Sequence, residues 1–235
     1  MDENISFRPP FIPLHTPARW ATGLLIATLS VAWIAVGVDL AELRLLLRVT
    51  GGSQVALEAR AAQFITNEIL FWTQVTLFVA TAVAFLAWLF QARVNLRAFG
   101  VRRPSYSRGW VVGGFLVPLV NLFRPYQVIR EVWQASDPKS HDAFNWRSLP
   151  VSKLLLAWWL LFVGWGALEL MALLSNTGAG VNLAKLQLSG GLTTLADVCA
   201  AVSAFLACFL VARISNAQQE KWQNQQPAES ELASP

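Results

Sequence analysis

Two acidic residues stand inside otherwise apolar sequence: Glu169 within Leu154 to Leu174, and Asp197 within Leu192 to Ala212. Glu169 lies five positions before the end of its run and Asp197 five positions after the start of its own, so antiparallel helices would hold both at one depth. An acidic group at the centre of a membrane helix costs roughly 2.5–3.5 kcal/mol on insertion scales, and less near an interface. Such a pair is a candidate proton or cation site. The simpler alternative, favoured by their nearness to the run ends, is that both reach water or pair with Lys185, Arg44 or Arg48. An acid–base enzyme would need a nucleophile, metal or substrate pocket beside them, and no motif supplies one.

Other reactive residue types are sparse. Cys199 and Cys208 lie nine apart in an apolar run, without CxxC spacing, and read as buried, inert thiols. His15 and His141 stand alone. No HExxH, GxGxxG, Walker or GxSxG pattern occurs, so neither a metal nor a cofactor is expected, and a non-enzymatic role is favoured.

The elements that must position these residues follow from composition. Of 235 residues, 55% are hydrophobic and 14% charged, against about a quarter charged in soluble domains. Trp20 to Val38 is an uncharged run of 19 residues and Ile69 to Phe90 one of 22. With the two runs already named, each is long enough for the roughly 20 residues that cross a bilayer core. A fifth stretch, Gly109 to Phe123, has 15 residues, is interrupted by Gly113, Gly114, Pro118 and Asn121, and would make a helix of only about 22 Å.

Charge counting decides whether that stretch crosses. With four spans and both termini inside, 14 Lys/Arg face the cytoplasm against 4 outside; with five spans the best split is 8 against 10. The positive-inside bias therefore predicts four spans. Trp20 and Trp88 are expected at the inner interface, Trp33 and Trp72 toward the outer one, with Trp158 and Trp159 just inside the third span. Thr16 and Pro17 read as the cap and first residue of the first helix, after an irregular arm with Pro9, Pro10 and Pro13. That first span is expected to remain as an anchor, since its run is too long for a cleavable signal. Asp39 to Arg48 and Gln54 to Phe64 are expected as a helical hairpin broken at Thr50 to Ser53, and Asn216 to Pro235 as a fraying helix and disordered tail.

The inner loop, residues 91 to 153, carries ten basic and three acidic residues. Its centre alternates breakers with apolar residues and is expected to dip into the inner leaflet and return, packed against the spans because bare amides in lipid cost several kcal/mol each. Asn121 would bond carbonyls freed by Pro118. From Pro125 to Trp133 the pattern becomes an amphipathic helix, with Tyr126, Ile129 and Trp133 on one side and Arg130 and Glu131 elsewhere. Arg124 and Arg130 could then lie among lipid phosphates; the plainer alternative, favoured here, is that they only obey the positive-inside bias. Nucleic acid is a poor partner, because the basic residues hug the apolar sequence instead of forming a separate stripe.

The run AFLAWLFQARVNLRAFG, followed by GWVVGGFLVPLVNLFRPYQVIREVW, resembles the bacterial membrane family known as domain of unknown function 4328. The resemblance rests on Phe85, Trp88, Arg93 and Asn95, then Trp110, Pro118, Asn121, Pro125 and Trp133. It covers about fifty residues closely and implies a multi-span membrane protein without assigning catalytic residues. Together these observations describe an all-α integral membrane protein, with four spans and a cytoplasmic re-entrant segment. It is expected to bind anionic lipid, or a membrane or cytoplasmic protein partner, through Arg93, Asn95, Trp110, Asn121, Arg124, Arg130 and Trp133. A small permease or channel component using Glu169 and Asp197 is the alternative.

Overall fold

The computed structural model describes residues 9–49, 54–101, 105–107, 109–117, 119–140, 145–175 and 183–232. All regular structure among them is helical: α1 (His15–Val49), α2 (Gln54–Asn95), α3 (Gly109–Leu116), α4 (Arg124–Ser136), α5 (Lys153–Ser175) and α6 (Leu183–Leu232), with single 3-10 turns at Val120–Leu122 and Asn145–Ser148. Four helices, α1, α2, α5 and α6, are long and apolar enough to cross a membrane. This is an all-helical membrane protein.

Local chemistry explains the boundaries. The arm before α1 is irregular because Pro9, Pro10 and Pro13 cannot donate helical hydrogen bonds. The Ala18 amide bonds the Leu14 carbonyl at 2.9 Å, so the helix opens at His15, slightly earlier than the Thr16–Pro17 cap reading. Pro17 still sits in the first turn, where its missing N–H leaves nothing unpaired. Helix α1 runs to Val49 and α2 begins at Gln54, as the hairpin pattern requires; the Thr50 to Ser53 break lies outside the described residues.

The carboxyl-terminal reading needs correction. Instead of fraying at Asn216, α6 continues to Leu232. The reason is tertiary: Ile214, Gln218 and Lys221 fall on one helical face and are buried. The polar sequence around Gln218 and Lys221 is thereby held by packing that composition does not reveal.

The chain forms two compact units. The first comprises Met1–Thr22, Ala82–Leu156 and Cys208–Pro235; the second comprises Gly23–Thr81 and Ala157–Ala207. In the first, Trp88, Leu89, Leu96, Val128, Ile129, Val132, Leu155, Leu210 and Ile214 are fully enclosed, together with buried Arg93, Asn95, Glu131, Gln134, Gln218 and Lys221. In the second, the buried residues are mostly small: Ala32, Ala35, Ala172, Ala196, Ala201 and Ala204. Many of its large side chains point outward, among them Trp33, Ile65, Ile69, Trp72, Val79, Leu160, Leu173 and Phe205, while Leu25, Leu46, Trp158 and Trp159 are buried. Small residues at contacts and large ones outside are the arrangement that lipid favours, because hydrocarbon gives no penalty for an exposed leucine and close backbone approach is what holds the helices.

Tryptophan placement does not follow the division into units. Trp20, Trp33 and Trp72 are exposed, but Trp88 is fully buried and its indole N–H donates to Ser215 Oγ at 3.0 Å. Trp158 and Trp159 are buried too, stacked around Phe162. Trp88 therefore serves the core of the first unit, not its surface. Cys199 and Cys208 are free and half-buried, less enclosed than their apolar surroundings suggest.

Candidate functional site

The short helices of the first unit build the most distinctive surface. Helix α3 ends at Leu116, the chain turns through Leu119 at φ 65°, and one 3-10 turn leads into α4. A leucine at φ 65° and ψ −41° occupies sparsely populated backbone space, at a cost of order 1–3 kcal/mol. The turn is nevertheless well bonded: Val117 N–H to Gly113 O at 3.1 Å, Asn121 N–H to Val117 O at 2.9 Å, Phe123 N–H to Val120 O at 3.1 Å and Gln127 N–H to Phe123 O at 3.2 Å. Its side chains point away from protein, with Leu116 70%, Leu119 78% and Phe123 65% exposed. The result is an apolar tip whose backbone largely satisfies itself.

Beside the tip sits a basic aromatic collar. The Arg124 guanidinium lies 5.2 Å from both the Tyr106 and the Trp110 ring centroids, within cation–π range of each. Its Nη1 donates to Gln127 Oε1 at 3.2 Å, and the Tyr106 hydroxyl donates to the same oxygen at 3.0 Å. Two rings and one amide thus fix the plane of the guanidinium, while the pairing groups around it are neutral. Gly114 makes this approach possible: a Cβ there would lie 3.1 Å from Arg124 Cβ, whereas one at Gly113 would meet nothing within 4 Å. Pro125 is buried in the first turn of α4, where a missing N–H costs little.

The remaining sequence-derived residues separate into surface and interior. Arg130 is exposed on α4, and Trp133 is half-buried beneath the Arg213 guanidinium at 6.0 Å. Asn121 is half-buried, and its expected contact with carbonyls freed by Pro118 lies outside the described residues. Arg93 and Asn95 are interior. Arg93 Nε is 3.4 Å from Glu131 Oε1, its Nη2 donates to the Tyr106 carbonyl, and Glu131 Oε2 accepts the Ser105 amide at 2.7 Å. Glu131 is thus on the buried side of α4, apart from the exposed Arg130 with which the amphipathic pattern grouped it. Its charge is tolerated because Arg93 meets it.

In the second unit the carboxylates converge. Asp197 is 3% exposed, on the face of α6 that carries Ala201 and Ala204, and its Oδ1 accepts Gln74 Nε2 of α2 at 2.8 Å. The Asp39 carboxyl of α1 lies within hydrogen-bond reach of Asp197, and its Oδ2 is buried without a donor. Glu169 of α5 is half-buried near Asp197, one turn from the Trp165 indole that it can accept from. Neither Lys185 nor the arginines of α1 is the partner that Asp197 takes. Asp39 and Gln74 escaped the sequence reading because Asp39 looked like part of an exposed hairpin and a lone glutamine in an apolar helix carries no spacing signal. Tyr106 and Glu131 escaped it because their partners, Gln127 and Arg93, are distant in sequence.

These features define a class: a multi-span helical membrane protein with a polar, loop-built unit and an apolar one. The chain belongs to the family described as Domain of unknown function (DUF4328), whose profile matches residues 52–216. The match reaches well beyond the roughly fifty residues that carry the resemblance, taking in all of α2, α3, α4 and α5 as well as much of α6. No curated protein and no solved structure matches the chain.

Proposed function

We propose that this protein is a non-enzymatic membrane scaffold or binding module that engages anionic lipid, or a protein partner, through the collar and tip of its first unit. In this reading residues 109–134 enter and leave the inner leaflet by the cytoplasmic face, both termini are cytoplasmic, and the membrane is the bacterial inner membrane. The exposed tip supports it: Leu116, Leu119 and Phe123 have no protein cover, yet they adjoin a preoriented Arg124. Hydrocarbon suits the first three and an anionic headgroup at the boundary suits the fourth. The internally bonded turn supports it further, since backbone at that depth must satisfy itself. Arg130 adds a second exposed charge, whereas Arg93 and Asn95 act inside the unit.

Native mass spectrometry of gently purified protein tests this. Replacing Arg124 and Arg130 by Gln should reduce retained anionic phospholipid or co-purifying protein several-fold; unchanged retention overturns the reading. Engineered thiols near positions 105 and 140 should label from the same compartment.

A second reading, a small ion or solute permease, is favoured by the meeting of Asp39, Asp197 and Glu169 near Gln74. The bare approach of Asp39 to Asp197 lacks a donor, and a proton or small cation would supply what is missing. Ion flux in proteoliposomes that is abolished by Asp197→Asn would support it; flux no greater than in empty vesicles would remove it.

A further inference from the structure

The amino-terminal arm is bound by the first unit as a peptide is bound by a receptor. Residues 9–14 are neither helix nor strand, and Pro10 and Pro13 bracket Phe11 and Ile12. Prolines restrict such a segment to extended conformations before it docks, which lowers the entropy lost on docking, and they leave only Phe11 and Ile12 with amide donors between them. The Ile12 N–H donates to Asn95 Oδ1 at 3.2 Å, and Asn95 Nδ2 donates to the Ile12 carbonyl at 2.8 Å. Asn95 thus reads both main-chain groups of one residue. Its orientation is fixed from behind: Nδ2 also donates to Gln218 Oε1 at 3.0 Å, and Oδ1 also accepts Gln91 Nε2 at 3.3 Å. Every hydrogen-bonding position of this amide is filled, two by the arm and two by the receptor.

Aromatic contacts supply the side-chain half of the recognition. The Phe11 ring stacks on Trp222 at 5.3 Å and 20°, and meets Phe99 at 5.7 Å. Phe99 is itself held under the Lys221 ammonium, 5.2 Å from its centroid, and Leu14 is buried behind. Ile12 and Pro13 themselves face outward. An aromatic slot beside an amide that reads the backbone is a recognised way to bind proline-flanked peptides.

We infer that Asn95, Phe99 and Trp222 form a peptide-recognition slot for a proline-flanked aromatic–aliphatic segment, occupied at rest by the chain's own arm and available to a partner segment of the same chemistry when the arm leaves. The slot is separate from the lipid-binding reading and stands without it. A tethered arm competes at millimolar effective concentration, so the resting slot excludes weak ligands and admits them once the arm's anchor is lost.

A fluorescent peptide spanning Pro9 to His15, added to the detergent-solubilised full chain, tests this. Phe11→Ala should bind the peptide at least tenfold more tightly than the unaltered protein. Adding Asn95→Asp, which keeps an acceptor but loses the donor to Ile12, should reverse the gain, and a peptide with Ala in place of Phe should bind neither. A folded Phe11→Ala protein that binds no better than the unaltered one overturns the inference. Should that variant fail to fold, hydrogen exchange at the Ile12 amide of the unaltered chain decides: faster exchange on adding millimolar peptide supports displacement, and unchanged exchange overturns it. Transfer of a labelled arm between two copies would support the slot and identify a second copy as the partner.

Discussion

The two units solve opposite problems with the same twenty side chains. The first encloses large apolar residues around a polar network in which Arg93 meets Glu131, Asn95 meets Gln218, and Lys221 donates to the Ala135 carbonyl at 2.9 Å and to Ser140. The second encloses mostly alanines and a few hydrogen bonds, such as Thr28 with Thr81 at 2.9 Å and Gln74 with Asp197, and turns many of its large side chains outward. Where water is near, removal of apolar surface favours enclosing large side chains. In hydrocarbon that force is absent between helices, and close packing with occasional polar contacts replaces it. Polar burial is therefore extensive in the first unit and selective in the second.

The sharpest way to break that contrast is at the buried charge pair. Glu131→Ala should destabilise the protein by about 3–5 kcal/mol, because it removes one half of a buried charge pair with Arg93 and the acceptor of the Ser105 amide. Replacing both, Arg93→Met with Glu131→Leu, should recover most of the loss. Thermal unfolding in detergent, followed by tryptophan fluorescence, measures both. Next comes Gln218→Leu, which strips a partner from Asn95 and two acceptors, the Ala92 carbonyl and Ser136 Oγ, of theirs. Leaving buried polar groups unpaired costs about 1–3 kcal/mol. A loss below a few tenths would show that the network is not organising that unit.

Smaller effects sharpen the other side. Trp88→Phe removes the bond to Ser215 and should cost about 1 kcal/mol. Gln74→Leu in the second unit should cost only about 0.6 kcal/mol, the average for interhelical hydrogen bonds in membranes. A loss as large as that of Gln218→Leu would erase the distinction between the units. At the collar, Gly114→Ala should disturb the seat of Arg124 while Gly113→Ala leaves stability unchanged within about 0.5 kcal/mol. The tryptophan emission of each variant reports the difference, since Trp110 lies against Arg124.

Much of the architecture was legible in sequence for a physical reason: an apolar run of about 20 residues has one common solution in lipid. The runs around residues 20–38, 69–90, 154–174 and 192–212 all fall within long helices. The short segment from Gly109 to Phe123 was legible as something other than a span, since its breakers and length forbid one, and α3 is only eight residues long. Trp110 and Arg124 were singled out and do meet. Arg93 and Asn95 were singled out as well, but their chemistry turned inward toward Glu131 and Ile12. Hydropathy says that a polar residue near a span must find a partner, not whether the partner is lipid, water or a residue eighty positions away.

The sequence by itself determined the helical class, the spans and the family, because local hydrophobicity and chain length control those outcomes directly. Only the tertiary structure decided that Glu131 would be buried, that Gln218 and Lys221 would extend α6 beyond its apolar part, that Asp39 would join Asp197, and that the amino-terminal arm would lie in the grip of Asn95. Each of these depends on groups far apart in the chain becoming neighbours. An unmet hydrogen bond or charge is costly only at the place where folding puts it.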